Sequence, residues 1–73
     1  MIKWSNTERG FRRGEFIDRY GESCSIQESN LPTKNCIWLG FDDANRMHLT
    51  QEDAAELAKV LIYFAGTGKL PVE

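Results

Sequence analysis

From Phe11 to Tyr20 the chain reads as alternating with period two, Phe16 and Tyr20 falling on one parity and Phe11 and Ile17 on the other; Gly21 interrupts, and the alternation resumes through about Ser29. A period of two is that of a half-buried strand, and glycine supplies the left-handed backbone of a tight turn. The pattern therefore predicts a β-hairpin turning at Tyr20-Gly21. Before it, Met1 to Gly10 sets Trp4 among Ser5, Asn6, Thr7 and Gly10. That stretch reads as an arm or short edge strand whose indole must bury against something. After the hairpin, Ser29 to Asn35 contains Pro32, which removes a backbone donor and pushes Leu31 extended, so the second strand is expected to end there in a loop. Cys36-Ile37-Trp38-Leu39-Gly40-Phe41 is an apolar run too short for a helix and is expected to form the central strand. Asp42-Asp43-Ala44-Asn45 supplies turn formers, and Arg46-Met47-His48-Leu49 alternates again, giving a second hairpin.

At Thr50 the period changes. A hydroxyl followed by Gln51, Glu52 and Asp53 is a helix start, with an acceptor for the first free amides and acids at the positive end of the helix dipole. Ala54, Leu57, Ala58, Leu61 and Phe64 or Ala65 recur at helical spacing, Glu52, Glu56, Lys59 and Tyr63 line the other side, and Gly66 and Gly68 stop the helix. The small Ala54 and Ala58 would let the stripe lie close to strands. The expectation is an α+β fold: an antiparallel sheet of about four strands in two hairpins, with one C-terminal helix packed on one face. Residues 1–73 form a single domain, with an arm over 1–10, the sheet over 11–49, the helix over 50–66 and a tail over 67–73.

A helix covers only one face of such a sheet, and the alternation says what is left on the other. With Cys24, Ile26, Ile37, Leu39, Met47 and Leu49 toward the helix, Trp38 projects to the uncovered side accompanied by Arg46 and His48. On the first strand both alternating sets contain apolar residues, and Ile17 is the expected core member. A Trp on an uncovered face marks either a subunit interface or a ligand surface, and both readings stand.

Charge and composition restrict the partners. The chain has 73 residues, 27% of them charged, and a net charge of −2, which disfavours generic nucleic-acid binding or an anionic membrane. The longest apolar run, Val60 to Ala65, is far below a bilayer span, and the N-terminus lacks the apolar segment of a signal peptide, so the expected location is cytoplasmic. A chain this small buries only about 60% of its unfolded surface, so a homo-oligomer is expected.

No catalytic or metal motif stands out. Cys24 and Cys36 lack the spacing of a disulfide scaffold or zinc site and read as reduced, half-buried thiols. His48 with either thiol would be the minimum for nucleophilic catalysis, but no local signature accompanies it. Asp42-Asp43 reads as a turn with solvated charge, and Gly66-Thr67-Gly68-Lys69 follows a helix and lacks P-loop spacing. No catalytic residue, metal or cofactor is therefore assigned. The basic N-terminal third is more informative: Arg9, Arg12, Arg13 and Arg19 lie near Trp4, Phe11 and Tyr20, and guanidinium groups both bind phosphate and stack on rings. The competing reading pairs these arginines with Glu8, Glu15, Asp18 and Glu22.

Arg13-Gly14-Glu15-Phe16, Asp18-Arg19-Tyr20-Gly21, Cys24-Ser25-Ile26-Gln27-Glu28-Ser29, Ile37-Trp38-Leu39-Gly40 and Arg46-Met47-His48-Leu49-Thr50 together resemble small proteins encoded by bacteriophages and prophages. The resemblance spans roughly Arg13 to Leu70, carries no assigned active site, and departs where some such proteins have a longer insertion between the Trp38 and His48 blocks. It implies a phage accessory protein countering host defence in the infected bacterial cytoplasm. The expected function is non-enzymatic sequestration of a small nucleotide-derived immune signal, with Arg12, Arg13, Arg19, Tyr20, Trp38 and His48 as candidate ligand-binding residues. The alternative is a protein inhibitor of a host defence complex, acting through an acidic helix face or the Trp38 face.

Overall fold

The computed structural model describes residues 1–32, 34–42 and 45–71. Five strands, β1 (Lys3–Asn6), β2 (Arg12–Ile17), β3 (Ser23–Leu31), β4 (Lys34–Phe41) and β5 (Arg46–Thr50), precede one helix, α1 (Gln51–Thr67). The strands pair antiparallel with their sequence neighbours in the order β1-β2-β3-β4-β5, so the α+β architecture holds with a five-stranded meander. The fifth strand is the segment read as an arm or a short edge strand, and the second reading holds: Lys3 to Asn6 pairs with Arg12 to Glu15 at the edge of the sheet. β3 occupies the middle of the sheet, the position expected of Cys36 to Phe41, which lies in β4 beside it.

Local chemistry sets the boundaries. β2 stops at Ile17 because Asp18 caps the turn: its Oδ1 accepts from the Tyr20 and Glu22 amides at 2.8 and 2.9 Å, and Gly21 takes φ 84°. Arg19 and Tyr20 therefore belong to the turn and not to a strand. The loop expected over 29–35 is much shorter, since β3 runs to Leu31 and pairs it with Lys34. Ladder hydrogen bonds extend the strands right up to Pro32, whose missing donor is tolerated in a turn. Thr33 lies outside the described residues, as do Asp43 and Ala44 of the expected second turn. The helix begins as expected: Thr50 Oγ1 accepts from the Asp53 amide at 3.1 Å while Asp53 Oδ2 accepts from the Thr50 amide at 3.2 Å, a reciprocal capping box. It ends at Gly68, whose left-handed backbone lets its amide reach the Phe64 carbonyl at 2.7 Å.

Register sorts the side chains into two faces, because residues paired across antiparallel strands share a side. Trp4, Gly14, Ile26, Leu39 and Met47 form one row and Phe16, Cys24 and Phe41 another on the same side, with Ile37 and Leu49 completing an apolar face. Arg13, Gln27, Trp38 and His48 form a row on the opposite, polar face, together with Ser25, Ser29 and Arg46. The division on β3, β4 and β5 is the one the alternation predicts. On β2 it is reversed: Ile17 sits on the polar face and is exposed, while half-buried Phe16 joins the apolar face by pairing with Cys24.

The expected packing of helix on sheet is absent. No residue of α1 is buried, and its principal neighbour is β5, the strand it continues. The apolar face is correspondingly uncovered. Among the described residues only Cys24 and Cys36, each 6% exposed, and Ser25, fully buried, are sequestered with Gly14. Trp4, expected to bury its indole, remains half-exposed. Among the described residues no helix is long and apolar enough to cross a membrane.

Candidate functional site

The polar face is organised by a continuous side-chain network. At its centre lies the fully buried Ser25, whose hydroxyl is shared between Asp42 and Arg46. Arg13 reaches Gln27 Oε1 at 2.7 Å, Glu15 Oε2 at 3.0 Å and Asp42 Oδ1 at 3.0 Å, tying β2 to β3 and to the end of β4. Its guanidinium is further stabilised in the charged form, chiefly by the bond to Glu15. Arg46 donates to Ser25 Oγ at 3.4 Å and lays its guanidinium carbon 5.5 Å from the centre of the Trp38 ring. Trp38 in turn stacks on His48, with ring centroids 3.9 Å apart and planes 9° from parallel, and His48 Nε2 lies 3.2 Å from Ser29 Oγ. Direct cross-strand pairing of Trp38 with His48 is what brings the rings together.

The Asp42 carboxyl is held below its ordinary range, first by a hydrogen bond with the Ser25 hydroxyl and then by the charges of Arg13 and Arg46. A carboxylate depressed in the folded state contributes stability that is present above its unfolded value, about 3.9, and lost as pH falls through the folded one. Urea midpoints of the wild-type chain are therefore expected to fall faster below about pH 4 than those of Asp42→Asn. Parallel pH profiles for the two chains would show that the network does not stabilise the sheet.

Beside the stack lies an open groove of about 380 Å³, lined by Arg9, Phe11, Gln27 and Trp38 and also by the carboxylates Glu8 and Glu28. That volume is within the range of small-molecule sites, about 300–1,000 Å³. A second, at the start of the helix, brings Cys36, Ile37, Leu49, Thr50 and Ala54 around about 390 Å³.

The structure brings three of the candidate ligand residues, Arg13, Trp38 and His48, onto one face. Arg12 goes to the other side, its guanidinium carbon 5.5 Å from the centre of the Trp4 ring. Arg19 and Tyr20 lie in the β2–β3 turn, where Arg19 covers the Tyr20 ring at 5.8 Å. Sequence reasoning left Arg46, Gln27, Ser25 and Phe11 out of the candidate set. Arg46 was legible from its alternation with His48, whereas Gln27 and Phe11 join only through the β2–β3–β4 register. The thiol–imidazole pairing is not formed: Cys24 is on the apolar face, where burial, reinforced by nearby Asp18, Asp42 and Glu22, pushes its thiol pKa up, and Cys36, although it pairs with Ser29 on the polar face, leaves the Ser29 hydroxyl as the hydrogen-bond partner of His48 Nε2. Among the described residues no group of three or more His, Cys, Asp or Glu gathers to hold a metal ion. No protein-family model, curated protein or solved structure matches this chain.

Proposed function

We propose that this chain is a non-enzymatic binding protein that sequesters a small phosphorylated ligand carrying an aromatic base, held on the polar face beside Trp38. The observation that carries this reading is the parallel Trp38–His48 stack flanked by Arg46 and opening onto the groove with Phe11, Gln27 and Arg9. Flat aromatic surface recognises a base without regard to its edge, and guanidinium groups supply the charge-assisted bonds that phosphates favour. Arg9, which lines the groove, and Arg46, whose guanidinium donates to the neutral Ser25 hydroxyl beside Trp38, are the cations assigned to phosphate, because Arg13 is already neutralised by Glu15 and Asp42. The resemblance to phage and prophage proteins adds the setting: a counter-defence protein of the infected bacterial cytoplasm whose ligand is a nucleotide-derived immune signal.

The test is to incubate the full chain with a panel of mononucleotides, cyclic nucleotides and ADP-ribose-type molecules, remove free ligand, then heat the protein and analyse what is released by mass spectrometry. Recovery of an intact phosphorylated base is the expected result. A chemically altered product would replace sequestration by catalysis, and failure to retain any member of the panel would remove the reading.

A further inference from the structure

The chain leaves two apolar surfaces uncovered. One is the sheet face of Phe16, Ile26, Ile37, Leu39, Met47 and Leu49, whose side chains are half-buried or exposed. The other is α1, where Leu61 is 59%, Ile62 74% and Phe64 51% exposed. We infer that each is the partner of the other in trans: the chain forms a two-fold dimer in which α1 of each copy crosses the apolar sheet face of its partner.

Three observations favour a second copy of this chain as the occupant. The first is area. The chain exposes 6230 Å², whereas a compact 8.4 kDa monomer exposes about 4,600 Å². The excess of about 1,600 Å² per chain is what an obligate dimer interface removes from each partner, about 1,000–2,500 Å². The radius of gyration agrees, at 13.6 Å against about 11 Å for a compact chain of this length.

The second is dimension. The 17 residues of α1 make a rod of about 25 Å, and five strands separated by about 4.8 Å span about 19 Å between their outer axes. One helix therefore crosses the whole sheet.

The third is economy of surface. Pairing sheet on sheet would leave both helices exposed, and pairing helix on helix would leave both sheets exposed. A reciprocal exchange about a two-fold axis covers all four surfaces at once, in the two-layer arrangement that stable domains adopt. It also leaves the polar faces, with their Trp38–His48 stacks, on the outside of the dimer, so each protomer carries a whole site.

Sedimentation or light scattering of the full chain at micromolar concentration is expected to give twice the 8.4 kDa chain mass; a monomer overturns the inference. The arrangement is tested by mixing two variants, Leu61→Asp in the helix stripe and Leu39→Arg in the centre of the sheet face. Each alone is expected to lose the dimer, because both of its interfaces are damaged. Refolded together, they place both changes in one interface and leave the other wild-type, so dimer mass and circular dichroism are expected to return. If the dimer were built from helix–helix and sheet–sheet contacts, or if each helix closed on its own sheet, mixing would restore nothing, and that result overturns the exchange. Neither readout involves ligand, so its failure is distinguishable from failure of the proposed function.

Discussion

Trp38→Ala is expected to lower affinity for the retained nucleotide ligand by about 5- to 150-fold while leaving the dimer and the sheet in place. The magnitude is that of one base–aromatic stack, about 1–3 kcal/mol by alanine substitution. The fold is expected to survive because Trp38 is half-buried on the polar face, away from the apolar surfaces that need a partner. Isothermal titration with wild-type and variant chains checks the affinity, and the mass of the variant in solution checks the assembly. Arg12→Ala and Tyr20→Ala serve as controls, since their side chains lie on the opposite face and in the β2–β3 turn; both are expected to bind as wild-type does. A Trp38→Ala chain that keeps its affinity but dissociates to monomers would instead place Trp38 in a subunit interface.

The second large effect is expected at Gly14. It pairs with Trp4 on one side and Ile26 on the other, in the middle of the apolar face. A Cβ there would come within 2.7 Å of Ile2 Cγ2 and 2.8 Å of Trp4 Cζ3. Those separations are far inside van der Waals contact, and the indole is too rigid to yield by a small rotation. Gly14→Val is therefore expected to lift β1 off β2, with a loss on the order of 1–3 kcal/mol, typical of overpacking. Urea unfolding at fixed chain concentration measures the loss. Amide exchange locates it: protection should vanish over Lys3 to Asn6 and persist in β3 and β4. An unchanged midpoint and a protected first strand would show that the close approach of Trp4 to the Gly14 backbone does not hold the edge strand.

These outcomes bear on how a polar face becomes a site. Arg13 was an attractive phosphate ligand in the sequence because it follows another arginine and sits near aromatics. In the fold it is a clamp, bridging two carboxylates and Gln27. Arg46 carries the opposite lesson, since an unremarkable residue after a turn is set against the Trp38 ring by the β4–β5 register. Pairing, more than composition, decided which guanidinium faces the aromatic stack.

The sequence by itself determined the elements and, over most of the sheet, their sidedness. Alternation over Cys24 to Gln27, Ile37 to Leu39 and Arg46 to Leu49 separated the apolar from the polar set correctly, because the pleat turns every second side chain to the same face. The change of period and the N-cap hydroxyl at Thr50, with acids following it, placed the helix start, and the reciprocal bond with Asp53 is what the structure adds there. Local patterns fell short wherever two segments had to be compared. On β2 both alternating sets contain apolar side chains, so only pairing with Cys24 put Phe16 inward and Ile17 outward. Over β1 the pattern left an arm and a short edge strand as alternatives, and the choice depends on the missing side chain of Gly14. The docking of α1 was the largest miss. An amphipathic stripe shows that a helix needs an apolar surface, but hydrophobic burial is non-directional and carries no label saying whether that surface is in the same chain. Tertiary structure decided it, by leaving stripe and sheet face both uncovered in one chain.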